Sequence, residues 1–166
     1  MILQLAAAVL LLVLLWGLFR LAMGLRWAKL SREQARGAEE SRGRRVVAEV
    51  PVGEGDLTFF LEDDRGFYWG GREVRKPDVA GARLLLNGGI IGSFSRGGWA
   101  LPEPPPPEDF EGRERWDIIL YRRDGRHETV PCGSLREGVS REIAARVFEA
   151  VRASAVRPGR LENGAA

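Results

Sequence analysis

Apolar side chains are distributed very unevenly along this chain. From Met1 to Phe19 the only polar side chain is Gln4, and basic residues begin directly afterwards with Arg20, Arg26, Lys29 and Arg32. A helix rises 1.5 Å per residue, so this stretch covers about 29 Å, close to the roughly 30 Å hydrocarbon core of a bilayer. The pattern predicts a transmembrane helix over residues 1–24. A secretory signal would open on basic residues, carry a shorter apolar core and close on a small-residue cleavage site. Here the charges follow the apolar run and Arg20 falls where that site would lie, so a retained anchor is expected.

Residues 25–45, LRWAKLSREQARGAEESRGRR, are rich in helix formers and charges. They predict a juxtamembrane stalk in which the helix continues for some turns and loosens near Gly37 or Gly43. From Val46 the period changes to that of short strands, over Val46–Val50 (ending at Pro51), Leu57–Leu61, Phe67–Trp69 and Arg72–Val74, the last two flanking Gly70-Gly71. Two hairpins carry stronger signals. Arg83–Leu86 leads through Asn87-Gly88-Gly89 into Ile90–Phe94, and Trp116–Arg122 leads through Asp124-Gly125 into His127–Val130. Asn-Gly and Asp-Gly tolerate the positive φ of tight hairpin turns, so an antiparallel sheet is predicted.

A helix should close the domain, with Ser140 as candidate N-cap. Ile143, Ala144, Val147, Phe148 and Val151 form an apolar stripe at helical spacing, which predicts packing on the sheet. The expected organisation is therefore an anchor (1–24), a stalk (25–45), one mostly β, α+β domain (46–155) and a tail (156–166) too poor in apolar residues to order. The proline run 102–107, PEPPPP, offers no N–H groups to a sheet and predicts a stiff loop running along the surface.

The net charge of +2 conceals a division: residues 1–45 hold eight Lys or Arg against three Glu, and residues 46–166 hold seventeen against twenty acids. A basic flank following the span predicts the amino terminus outside the cell membrane and the domain in the cytoplasm. Trp16, Arg20, Arg26, Trp27, Lys29 and Arg32 would then lie at the membrane interface, the indoles in the headgroup layer and Arg20 snorkelling. A slightly acidic domain is not built as a nucleic-acid face, which concentrates positive charge on the folded part. One cysteine, Cys132, suits a reducing compartment.

Two stretches, FYWGGREVRKPDVAGARLLLNG (67–88) and WDIILYRRDGRHETVPCGSLREGVSREIAARVFEAV (116–151), follow an element order that resembles small bacterial domains of the pleckstrin-homology-like (PH-like) class. The resemblance implies a strongly bent antiparallel sheet or barrel capped by a C-terminal helix. Wider members of that fold often bind phosphoinositides through a basic loop between early strands, but the matching residues here, Glu62, Asp63, Asp64 and Arg65, are mainly acidic. The resemblance therefore does not extend to phosphoinositide binding.

Catalytic chemistry finds little material. The single histidine, His127, and Cys132 are the only base and nucleophile that could be paired, and no third group orients them. They also fall short of the four ligands of a structural zinc site, and Glu62-Asp63-Asp64 lacks the alternating ligands and glycine of a calcium loop. Gly88 to Gly98 contains no phosphate-binding motif. No cofactor or metal is expected. The aromatic residues Tyr68, Trp69, Trp99 and Trp116 are the candidate partner contacts: consecutive rings at 67–69 cannot all face one side of a strand, and Trp99 and Trp116 bracket the proline run. The sequence thus predicts a non-enzymatic, single-pass membrane protein presenting an interaction domain to another membrane protein, as scaffold or accessory subunit. A sensor of anionic lipid is the alternative, and an enzyme with an unrecognised site a remote third.

Overall fold

The computed structural model describes residues 2–52, 56–106, 114–133 and 137–156. The chain divides into two compact units, Met1–Gly43 and Arg44–Ala166. The first is one helix, α1 (Ile2–Ser41), of 40 residues. It does not loosen at Gly37. Its carboxyl end is closed by Ser41 Oγ donating to the Ala38 carbonyl (2.8 Å), and by Arg42 N and Gly43 N donating to the carbonyls of Glu39 (3.1 Å) and Glu40 (3.0 Å). Gly43, at φ 79°, supplies the left-handed residue that commonly ends a helix.

The second unit is α+β, with eight strands among the described residues: β1 (Arg45–Val52), β2 (Asp56–Glu62), β3 (Gly66–Trp69), β4 (Arg72–Arg75), β5 (Val79–Leu86), β6 (Gly89–Ser95), β7 (Trp116–Arg122) and β8 (His127–Gly133), followed by α2 (Glu137–Val156). They form two antiparallel four-stranded sheets, ordered β1-β2-β3-β4 and β6-β5-β7-β8. Turn chemistry follows the residues. Asn87 and Gly88 both have positive φ (49° and 78°), the requirement of a two-residue type I′ hairpin. At the β7–β8 turn the Asp124 carboxylate accepts from Arg126 N (3.0 Å) while Gly125 takes φ 84°.

Other elements also differ from the sequence expectation. Strand β8 continues past Val130 through Pro131 to Gly133. Strand β1 runs through Pro51, which pairs opposite Leu57; β1 borders its sheet, where a missing N–H can be tolerated. Strand β5 begins four residues earlier than Arg83, because the weak strand formers Ala80, Gly81 and Ala82 are selected for close packing: a Cβ on Gly81 would press on the Phe94 carbonyl oxygen and lie 2.9 Å from Leu101 Cδ2. Helix α2 begins at Glu137, so Ser140 is a fully buried residue of the helix and not its N-cap.

The main core is shared by both sheets and α2. Val50, Phe60, Phe67, Trp69 and Val74 of the first sheet meet Ala82, Ile118, Leu120, Val130 and Cys132 of the second, with Ala144, Val147, Phe148 and Val151 from the helix. The expected stripe of α2 is the face that packs there. A separate cluster, Leu85, Ile119 and Tyr121 with Leu101 against it, occupies the other face of the second sheet. Strand β7 is therefore buried on both sides. That is why its residues Ile118-Ile119-Leu120-Tyr121 are continuously apolar and do not alternate.

The second cluster explains the proline run. Strands β6 and β7 are both antiparallel to β5 and flank it, so they are parallel to each other. A parallel pair needs a long crossover, supplied by residues 96–115. Leu101 caps the outer cluster, and Arg83 donates through Nη1 to the Pro102 carbonyl (2.6 Å) and through Nη2 to the Leu101 carbonyl (3.1 Å). The crossover's described residues 96–106 are thus a strap tied to the sheet, and on the β7 side Arg115 N donates to Asn87 Oδ1 (2.8 Å) and Asn87 N to the Arg115 carbonyl (2.9 Å). Pro107 and the tail beyond Val156 lie outside the described residues.

Candidate functional site

Two groups of residues carry the functional expectation: the apolar helix with its basic flank, and the aromatic residues of the β unit. In α1, ten large side chains between Leu10 and Leu21 are 53–66% exposed, Trp16 and Phe19 among them. Leaving one such side chain in water costs roughly 1.5–3 kcal/mol relative to burial. Ten together exceed the whole stability of a typical domain, about 5–15 kcal/mol. The helix is long and apolar enough to cross a bilayer, by length and composition. Trp16 packs against Phe19 at 6.2 Å between ring centroids, one turn before Arg20.

Arg20, Arg26, Trp27, Lys29 and Arg32 are all exposed along the following turns. Lys29, Arg36 and Arg42 have acidic partners close by in sequence. Lys29 Nζ lies 3.9 Å from Glu33, Arg36 Nε 3.3 Å from Glu40, and Arg42 Nη1 2.7 Å from Glu39. Such i,i+4 and i,i+3 pairs each contribute a few tenths of a kcal/mol to an exposed helix. They also lower the net positive field of the stalk.

The four aromatic candidates do not form one surface. Trp69, 3% exposed, lies against Phe60 at 5.5 Å between centroids, and Trp116 is 6% exposed in the same core. Neither is available to a partner. Trp116 Nε1 is buried without a hydrogen-bond acceptor among the described residues, a cost accepted for filling the core with an indole. Tyr68 is half-buried in a polar cluster, its hydroxyl donating to Asp63 Oδ1 (3.3 Å) and the Arg44 guanidinium lying 4.3 Å from its ring centroid. Trp99 alone is openly presented, 41% exposed, directly after the 3-10 turn Arg96–Gly98.

The acidic run is structural. Asp63 Oδ1 also accepts from Arg65 N and Gly66 N, both at 2.8 Å, so the carboxylate closes the β2–β3 turn. Partial burial pushes this carboxyl up, but the two backbone donors, Tyr68 and the Arg44 charge outweigh it and hold it below its ordinary value. Glu62 pairs with Arg45 and, at 2.9 Å, with Lys76. Burial again acts upward, and the hydrogen bonds from Lys76 and Arg45 bring the net shift downward.

Comparison with known protein families, curated proteins and solved structures finds no match. Chemistry must therefore be read from the residues alone. Cys132 is fully buried in the main core, where desolvation, reinforced by Asp117, drives its thiol far above the ordinary value. His127 is exposed and stands on the other face of the sheet, 6.3 Å between ring centroids from Tyr121 of the outer cluster. Nucleophile and base are thus separated by the thickness of β8. Among the described residues no group of three His, Cys, Asp or Glu is placed to hold a metal ion. Sequence reasoning missed the arginines that organise the fold, Arg83 under the strap and Arg96, which donates to the carbonyls of Lys76 (3.1 Å) and Ser154 (2.8 Å). Their signal was weak because a surface arginine and a tying arginine look alike in one dimension.

Proposed function

We propose that this chain is a single-pass membrane protein that presents a PH-like interaction domain in the cytoplasm, acting without catalysis as a scaffold or accessory subunit of a larger membrane assembly. The carrying observation is the unburied apolar surface of α1: ten large side chains ask for a non-aqueous environment that the described protein does not provide. The PH-like reading is supported by two antiparallel sheets that share one core with a C-terminal helix. The non-enzymatic reading is supported by the opposed placement of His127 and Cys132 and the unreactive state of the buried thiol.

Confinement to a membrane raises the effective concentration of a co-resident partner to about the millimolar range, so weak contacts suffice. Trp99 is the contact residue of choice because it alone among the four aromatic candidates is exposed. The lipid-sensor reading ranks second, since part of the basic charge beyond the span, Lys29 and Arg36, is paired with Glu33 and Glu40 on the same helix. The test is purification of the full chain in mild detergent with identification of what co-migrates. A second integral membrane protein should be recovered, and Trp99→Ala should reduce its recovery several-fold. A chain that migrates without another protein, or a co-purified protein indifferent to Trp99→Ala, contradicts the proposal.

A further inference from the structure

Among the described residues the two sheets have four border strands, and three of them carry proline or charge, which block pairing with another chain. Strand β1 has Pro51, β8 has Pro131, and β4 presents Arg72, Glu73 and Arg75. Proline removes a ladder donor and charge resists desolvation, both recognised protections of a sheet edge. Strand β6, Gly-Ile-Ile-Gly-Ser-Phe-Ser, has neither. Its one irregularity is a bulge at Ile91, since Leu84 pairs with Gly92 and Leu85 with Ile90. Beyond the bulge, Gly92 to Ser95 continues in regular register, and among the described residues no strand pairs with its outer edge. Ile90 and Ile91 are 51% and 52% exposed at the start of the strand.

We infer that β6 is a self-association edge at which two copies of this chain pair antiparallel across a two-fold axis, joining their second sheets into one. The occupant follows from charge and shape. An edge without ionisable side chains gives no electrostatic selection for a charged partner strand, whereas a second β6 brings an equally uncharged strand to the junction. Two-fold symmetry perpendicular to the sheet requires paired residues to share a face. Register centred on Ser93 satisfies this, placing Ser93 opposite Ser93 of the second copy and Gly92 opposite Phe94, so that each ring meets a residue without a side chain. Phe94 is already held edge-on against Phe148 at 5.7 Å between centroids, which fixes the ring on the core side and leaves the strand edge flat. The interface is isologous and closes at two subunits. Its geometry does not depend on the proposed membrane role, although confinement in a bilayer would strengthen it.

Ser93→Cys in the full-length protein, in isolated membranes under mild oxidation, tests the register directly. Opposed Cα atoms in an antiparallel pair lie about 4.5–5.5 Å apart, within disulfide reach. A disulfide-linked dimer of this chain is expected, with Glu73→Cys on the charged β4 border giving none; Cys132 is buried and should not contribute. Ser93→Lys should lower the dimer fraction in detergent about fivefold, because the two ammonium groups would face each other. The inference is overturned if Ser93→Cys stays monomeric while the chain keeps its thermal transition, if it cross-links only to a different protein, or if Ser93→Lys leaves dimerisation unchanged, which would move the contact to another surface such as α1.

Discussion

Helices α1 and α2 are both rich in aliphatic residues, yet α2 buries Val147 and Val151 completely against the two sheets while α1 leaves every large apolar side chain from Leu10 to Leu21 more than half exposed. The difference lies in periodicity. In α2 the apolar residues recur every three or four positions and charged residues fill the remaining wheel, so one face meets the sheets and the other meets water. In α1 the apolar residues surround the axis. A helix of that kind is satisfied only by an apolar surrounding on all sides. One sequence thus contains a helix that completes a protein core and a helix whose apolar surface the described residues leave uncovered.

The comparison breaks most visibly in α1. Leu11→Arg combined with Leu15→Arg places two charges in the middle of the apolar run, each costing about 2.5–3.5 kcal/mol on insertion. Most of the full-length chain should then leave the membrane fraction that resists alkaline extraction, which immunoblotting of the two fractions measures. In α2 the matching change acts on folding. Phe148→Ala removes a ring from the shared core and should destabilise the β unit by about 3–5 kcal/mol, read from urea unfolding by tryptophan fluorescence, with membrane attachment unaffected. If either variant produced the other's effect, the division of labour between the helices would fail.

Smaller effects sharpen the picture of the β unit. Gly81→Ala should cost about 1–3 kcal/mol, because the new methyl group meets the Phe94 carbonyl and Leu101 under the strap; unfolding midpoints measure it. The pair Glu62 and Asp63 gives the smallest change. Both folded-state values lie below the ordinary carboxylate range, so their contribution is fully present above the unfolded values near pH 4 and is lost as pH falls through the folded values. Both groups are partly solvated, and the loss should be about 1 kcal/mol or less. Unfolding midpoints at pH 6 and pH 3 should show a drop that is reduced in Asp63→Asn.

The hairpins and the closing helix were legible in the sequence because local chemistry dictates them: Asn87-Gly88 and Asp124-Gly125 accept the required φ, and the α2 stripe has helical spacing. The early part of β5 was not legible, since Ala80-Gly81-Ala82 is selected by tight long-range packing and not by strand propensity. The role of the proline run was hidden for a related reason. Only the strand order β6-β5-β7 makes residues 96–115 a crossover, and strand order is a tertiary property. A clue existed in Ile118-Ile119-Leu120-Tyr121, whose unbroken apolar run requires cover on both faces. Among the candidate contacts, alternation correctly separated Tyr68 from Trp69, but sequence could not tell that Trp116 faces the core and Trp99 does not.

Protease accessibility of a tag fused after Ala166 tests the central claim most directly, read in intact cells and in inside-out vesicles made from them. The account predicts a tag that stays with the membranes, survives protease added to intact cells and is removed from the vesicles. Removal of the tag in intact cells, or its recovery in the soluble fraction, would contradict it.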